Sequence, residues 1–192
     1  MVPPPGFATE DDLLRLLDSE KRICELVDGV LVEKTMGYYE SQLAMLVGYF
    51  IRVFLEEHDL GIVLGEAGTL RILAEQVRVP DVAFLSWRHF PGRMLPAEPV
   101  PAIAPDLAVE VLSAGNTKRE MERKLDDYFS AGVRRVWFID PTTESATIYE
   151  SRQKPQNVSL SDSLTGGDVL PGFELSLQLL FDKAGRRSGR KQ

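Results

Sequence analysis

Two acidic residues sit inside apolar runs. Asp81 interrupts Val79-Pro80-Asp81-Val82-Ala83-Phe84-Leu85, and Glu110 interrupts Leu107-Ala108-Val109-Glu110-Val111-Leu112. A carboxylate held in a buried strand loses solvation worth several kcal/mol unless a positive or hydrogen-bonding group meets it. Two such carboxylates brought together call for a divalent cation, and their hard oxygens suit Mg²⁺ or Mn²⁺. An ion held this way activates water near neutral pH and offsets charge on a phosphate and its leaving oxygen, which is the chemistry of phosphodiester hydrolysis. The Val111 carbonyl, next to Glu110 on the strand, is a candidate third ligand. Lys124 supplies a cation that can orient or polarise the attacking water, or stabilise charge in the transition state.

Other candidates have two readings each. Glu40 lies three and seven residues before Leu43 and Val47, near the buried stripe of an expected helix. It is either a member of the metal shell or a helix-start carboxylate favoured by the macrodipole. Tyr128, one turn after Lys124, is either a core aromatic or a hydrogen-bond partner near the site. The single cysteine, Cys24, excludes an internal disulfide and a multi-cysteine zinc site, and reads as strand packing. Two histidines, His58 and His89, stand beside loop signals, and no Gly-x-Ser-x-Gly elbow accompanies them.

The elements that must position these groups follow from pattern. Thr9 with Asp12 starts a short helix. Asp28-Gly29 between Arg22–Val27 and Val30–Glu33 is a type I′ hairpin signal. Leu43, Leu46, Val47, Phe50 and Phe54 give helical spacing from Tyr39 to about Glu57. Gly61 to Leu85 reads as an antiparallel meander with Asp81 on its last strand. Ser86 to Ala104 is a long Pro-rich connection of the sort that borders sites. Thr117 with Glu120 forms a capping box ahead of Met121, Leu125 and Tyr128. Strands are expected over Arg135–Ile139 and Ala146–Glu150, and from Val158 to Leu160, with an apolar stretch from Phe173 to Phe181. The order implies a mixed α/β domain in which strand, helix and strand from Val109 through Met121 to Val136 form a βαβ unit. The two carboxylates then fall on neighbouring central strands.

The 192 residues suit one domain, placed at 1–183, with a basic and disordered tail at 184–192. Hydrophobic residues make up 44%, and no apolar run approaches the roughly 20 residues of a membrane span. With no secretory pattern at the N-terminus, the expected location is the cytoplasm. A net charge of −7 argues against a large basic nucleic-acid surface.

The ordered stretches Cys24-Glu25-Leu26-Val27-Asp28-Gly29, Arg78-Val79-Pro80-Asp81-Val82, Ala104-Pro105-Asp106 through Ser113, Lys124-Leu125-Asp126-Asp127-Tyr128, Gly132-Val133 and Val136-Trp137-Phe138-Ile139-Asp140-Pro141 resemble the Uma family of restriction endonucleases. The resemblance covers nearly the whole chain. It implies the PD-(D/E)XK nuclease superfamily, a restriction-endonuclease-like mixed β-sheet core flanked by helices, a divalent metal, and DNA as substrate. Asp81 and Glu110 match that superfamily's metal-binding acids. Lys124 matches a lysine moved onto the following helix, because the usual strand position is Leu112 here. Glu40 falls where related nucleases place a helical acid or a histidine. Many nucleases of this fold cut two strands with two-fold related sites, so a homodimer is a candidate assembly. The alternative is a catalytically inactive nuclease-fold protein that acts as a dimerising or nucleic-acid-binding module.

Overall fold

The computed structural model describes residues 3–185. A six-stranded mixed sheet forms its centre, in the order β10-β9-β8-β7-β6-β3. Its strands are β3 (Gly61–Leu64), β6 (Val82–Ser86), β7 (Leu107–Val111), β8 (Arg135–Asp140), β9 (Ser145–Tyr149) and β10 (Pro155–Val158). Only β7 and β8 run parallel, and helix α3 (Lys118–Ser130) connects them as the expected crossover. The Thr117 hydroxyl accepts from Glu120 N and the Glu120 carboxylate accepts from Thr117 N, so the capping box closes as its sequence predicts.

Alternation along the strands assigns the two faces of the sheet. Val82, Phe84, Leu107 and Val109 face α2 (Tyr38–Glu57) and α4 (Leu177–Ala184). Ala83, Leu85 and Ala108 face the other way, toward Met121, Leu125 and Tyr128 of α3. Both cores are well buried, each buried Leu- or Phe-sized side chain contributing about 1.5–3 kcal/mol.

A second sheet of four strands runs β2-β1-β5-β4, from β1 (Cys24–Val27), β2 (Val30–Glu33), β4 (Leu70–Leu73) and β5 (Gln76–Arg78). The β1–β2 turn is the expected type I′, with φ of 50° at Asp28 and 70° at Gly29. Gly29 has a second reason to lack a side chain, since a Cβ there would fall 2.5 Å from the Gly6 carbonyl carbon. Short α1 (Glu10–Arg15), capped by Thr9, runs into a π-helical turn and packs Leu13 on Leu26 and Val77. Strands β11 (Ser163–Thr165) and β12 (Glu174–Ser176) make a small separate ribbon.

Several expectations need correction. The strand expected from Val158 to Leu160 lies earlier, as β10, and Asp81 stands one residue before β6 rather than on it. The region 61–85 is not a continuous meander: β3 pairs with β6, while β4 and β5 leave for the second sheet, where β5 finds β1. The buried stripe of α2 is broader than the one drawn through Leu43, Leu46, Val47, Phe50 and Phe54: Leu43 and Val47 are buried with Glu40, Ala44, Ile51 and Leu55, while Leu46, Phe50 and Phe54 pack partly buried against the same core. The long connection after β6 does not border the carboxylates; it inserts Phe90 and Val100 into two hydrophobic clusters. Cys24 is buried on β1 as expected. The anticipated basic tail lies outside the described residues except for Ala184 and Gly185, and Ala184 still belongs to α4. Among the described residues no helix is long and apolar enough to cross a membrane.

Candidate active site

The pairing of β6 with β7 sets Val82 opposite Val109, and Asp81 N donates to Val109 O at 3.0 Å. Asp81 thus stands one residue before β6, at the end of its pairing with β7. Its carboxylate and that of Glu110 on β7 face the same Lys34 ammonium. Two carboxylates so placed repel each other. Each residue is only 4% exposed, so water screens little of that repulsion.

Cations from two other elements answer it. The Lys124 ammonium lies 3.1 Å from Glu110 Oε2 and 3.2 Å from Glu25 Oε1. The Tyr128 hydroxyl, one helical turn on, donates to Glu110 Oε1 at 2.5 Å. From the hairpin side, Lys34 brings its ammonium to 2.7 Å from Asp81 Oδ1 and 3.9 Å from Glu110 Oε2. Val111 N donates to the other Asp81 oxygen at 2.6 Å. In an extended residue N–H and C=O point to the same strand edge, so the Val111 carbonyl also faces the Asp81 side.

The network continues behind Lys124. Arg78 holds Glu25 at 2.7 Å and Asp127 at 2.5 Å, and Arg123 joins Asp127 at 3.0 Å to Asp28 at 2.6 Å. Burial pushes Glu25 up, but Lys124, Arg78 and Lys34 outweigh it and hold its carboxyl below the usual range. Burial pulls Lys124 down, yet Glu110 and Glu25 reverse the effect and keep its ammonium charged. Tyr128 is pushed well above the ordinary phenol by burial and by Glu110, so it stays a donor. Asp81 differs: burial and then the Glu110 charge push it up to about 6, against Lys34 and the Val111 N–H.

Glu25, Lys34, Asp81, Glu110, Val111 and Lys124 line a cavity of about 230 Å³ that also includes Glu40 and Asn116. Size does not single it out, since a cleft of about 850 Å³ runs along α2 and meets it at Asp81. What sets it apart is buried carboxylates facing lysines. Of the residues named from sequence, Asp81, Glu110, Val111 and Lys124 converge. Glu40 lines the cavity with its carboxylate folded against Gly37, where even a Cβ would fall 2.1 Å from Glu40 Oε2. Among the described residues no group of three or more acidic, histidine or cysteine side chains closes around one point. Tyr128 is both core aromatic and hydrogen-bond partner, fully enclosed with its hydroxyl on Glu110.

Sequence reasoning missed Lys34, Glu25, Arg78 and Asp127. Glu25 carried the same signal as Asp81, a charge inside the apolar strand Cys24-Glu25-Leu26-Val27. Lys34 carried none, because its place depends on how the hairpin docks.

The fold defines the class: a mixed α/β domain with a parallel crossover pair at the centre of its sheet. The family model for Uma2, described as "Putative restriction endonuclease", matches residues 10–178. The chain belongs to the Uma2 family. Its structure is similar to a crystal structure from Anabaena variabilis described as a putative nuclease belonging to DUF820. The TM-score is 0.78 and the identity 19%, over 92% of this chain and 98% of that one. No curated protein matches the chain.

Proposed function

We propose that this protein is a divalent-metal-dependent endonuclease that hydrolyses phosphodiester bonds in DNA. The observation that carries the reading is the pair of buried carboxylates Asp81, just before β6, and Glu110, on the neighbouring β7, facing one cavity with the Lys124 ammonium. Membership of the Uma2 family, described as "Putative restriction endonuclease", supports it.

The donors fit Mg²⁺ or Mn²⁺: carboxylate oxygens of Asp81 and Glu110 and the Val111 carbonyl are hard ligands on one side of the cavity. The Lys34 ammonium beside Asp81 Oδ1 indicates that a cation is accommodated between the two acids. When bound, such an ion supplies Lewis acidity and an activated water. The chain's own residues do the rest. Tyr128 and Lys124 fix both oxygens of Glu110, so that carboxylate cannot rotate away. Lys124 stays protonated between two carboxylates, which makes it an electrostatic stabiliser of phosphate charge rather than a base. Glu40 borders the same space and is assigned to its outer shell. The cleft along α2 exposes Tyr38, Met45 and Tyr49 beside Arg52, a surface on which bases stack and a phosphate pairs.

Plasmid nicking in Mg²⁺ or Mn²⁺ tests the proposal. Wild type converts supercoiled DNA to open circles and Asp81→Ala does not. Equal cleavage by both overturns it. Absence of cleavage on single-stranded, duplex and branched DNA points instead to the non-catalytic module.

A further inference from the structure

Lys34 stands in the wall between two cavities. On one side is the carboxylate cavity, where its ammonium lies 2.7 Å from Asp81 Oδ1 and also donates to the Val79 carbonyl. On the other is a space of about 250 Å³ lined by Ile23, Lys34, Met36, Ser41 and Glu66. Ser41 Oγ donates to Glu66 Oε2 at 3.3 Å there, so this second space contains a carboxylate of its own.

The backbone of Lys34 is pinned, its N–H donating to Ile23 O at 2.9 Å, at the end of the edge strand β2. Its ammonium rides on a flexible four-carbon stem. The first cavity is rich in acids: Glu25, Glu33, Glu40, Asp81, Glu110 and Glu120 line it with only Lys34 and Lys124 as cations. Lys124 is bound on two sides by Glu110 and Glu25. Lys34 is the cation with somewhere else to go.

We propose that Lys34 is a displaceable internal counter-ion, holding the place of the divalent cation between Asp81 and Glu110 and swinging toward Glu66 when that cation enters. This rests on the metal-site reading above. A buried pair of like charges is tolerated only while something positive faces it, and Lys34 meets that need in the metal-free protein. A divalent ion meets it better and repels the ammonium, while Glu66 receives it. Lys34 therefore competes with metal, setting a threshold concentration below which the site stays closed.

The test is calorimetric titration of the full-length protein with Mn²⁺, in wild type, Lys34→Met, Glu66→Gln and the double variant. Removing the competitor tightens binding: Lys34→Met takes up Mn²⁺ about tenfold more tightly or better than wild type, a gain of about 1.4 kcal/mol or more. Glu66→Gln weakens binding in the wild-type background and changes nothing once Lys34 is gone. Lys34→Gln gives the same direction as Lys34→Met and serves if the latter does not fold. If wild type binds Mn²⁺ and neither Lys34 variant binds it more tightly, the displacement is wrong and the metal site stands. An equal effect of Glu66→Gln in both backgrounds also overturns it. If no protein binds Mn²⁺, the displacement and the metal site fall together.

Discussion

Lys124 and Tyr128, one helical turn apart on α3, grip the two oxygens of a single carboxylate. Lys124 reaches Glu110 Oε2 at 3.1 Å and Tyr128 reaches Oε1 at 2.5 Å. The spacing of four residues on a helix matches the two oxygens of one side chain projecting from the sheet beneath. Glu110 is thereby held in one orientation, which is what a metal ligand requires.

Substituting Lys124 has two separable effects. Lys124→Met leaves Glu110 and Glu25 facing each other without their shared cation. Breaking a buried pair in this way costs about 3–5 kcal/mol. Urea denaturation should register that loss. Single-turnover nicking should fall by about 100-fold or more, in line with removal of a preorganised charge.

Tyr128→Phe is milder. It deletes one hydrogen bond to a charged acceptor and leaves the ring in place, for a loss of about 1.5–3 kcal/mol. The ammonium still holds Glu110, so Mn²⁺ binding persists at reduced affinity. A variant as stable as wild type would mean that the hydroxyl does not hold Glu110.

The Asp81 carboxyl gives a signed pH dependence. Its pKa rises from 3.8 unfolded to about 6 folded, so between those values the folded state binds more protons and stability falls as pH rises. The penalty is complete above about pH 6. Asp81→Asn mimics the protonated form and escapes it. In chelator, the variant should be more stable than wild type at pH 7 by about 1–3 kcal/mol, with the difference shrinking toward pH 4. Urea denaturation of both proteins across that range provides the check.

Arg78 bridges Glu25 and Asp127 at 3% exposure. Arg78→Met should therefore destabilise the protein by about 3–5 kcal/mol, although the residue touches neither Asp81 nor Glu110. Pairing it with Glu25→Gln and Asp127→Asn removes the stranded charges and should recover part of the loss, as thermal unfolding can measure.

Local signals in the sequence were sufficient where chemistry acts over a few residues. Asp28-Gly29 specified its turn through two positive φ values, and Thr117 with Glu120 specified the start of α3. Asp81 and Glu110 were legible because a charge in an apolar strand is anomalous wherever that strand lies. Lys124 was legible as a cation on the capped helix that follows the strand of Glu110. Lys34 and Arg78 were not, since their roles arise from the pairing of β1 with β5 at Leu26 and Val77, far apart in the sequence. Nothing local tells β5 to leave β6 and join the hairpin. The long connection after β6 misled for a related reason: its length suggested a site, whereas its buried Phe90 and Val100 show that packing accounts for its course.

A crystal soaked in Mn²⁺ and measured at the manganese edge tests the metal site itself. One anomalous peak is expected within about 2.0–2.4 Å of oxygens from both Asp81 and Glu110, with Lys124 still on Glu110. An intact Asp81–Lys34 contact and no peak between the two acids, at saturating Mn²⁺, would contradict it.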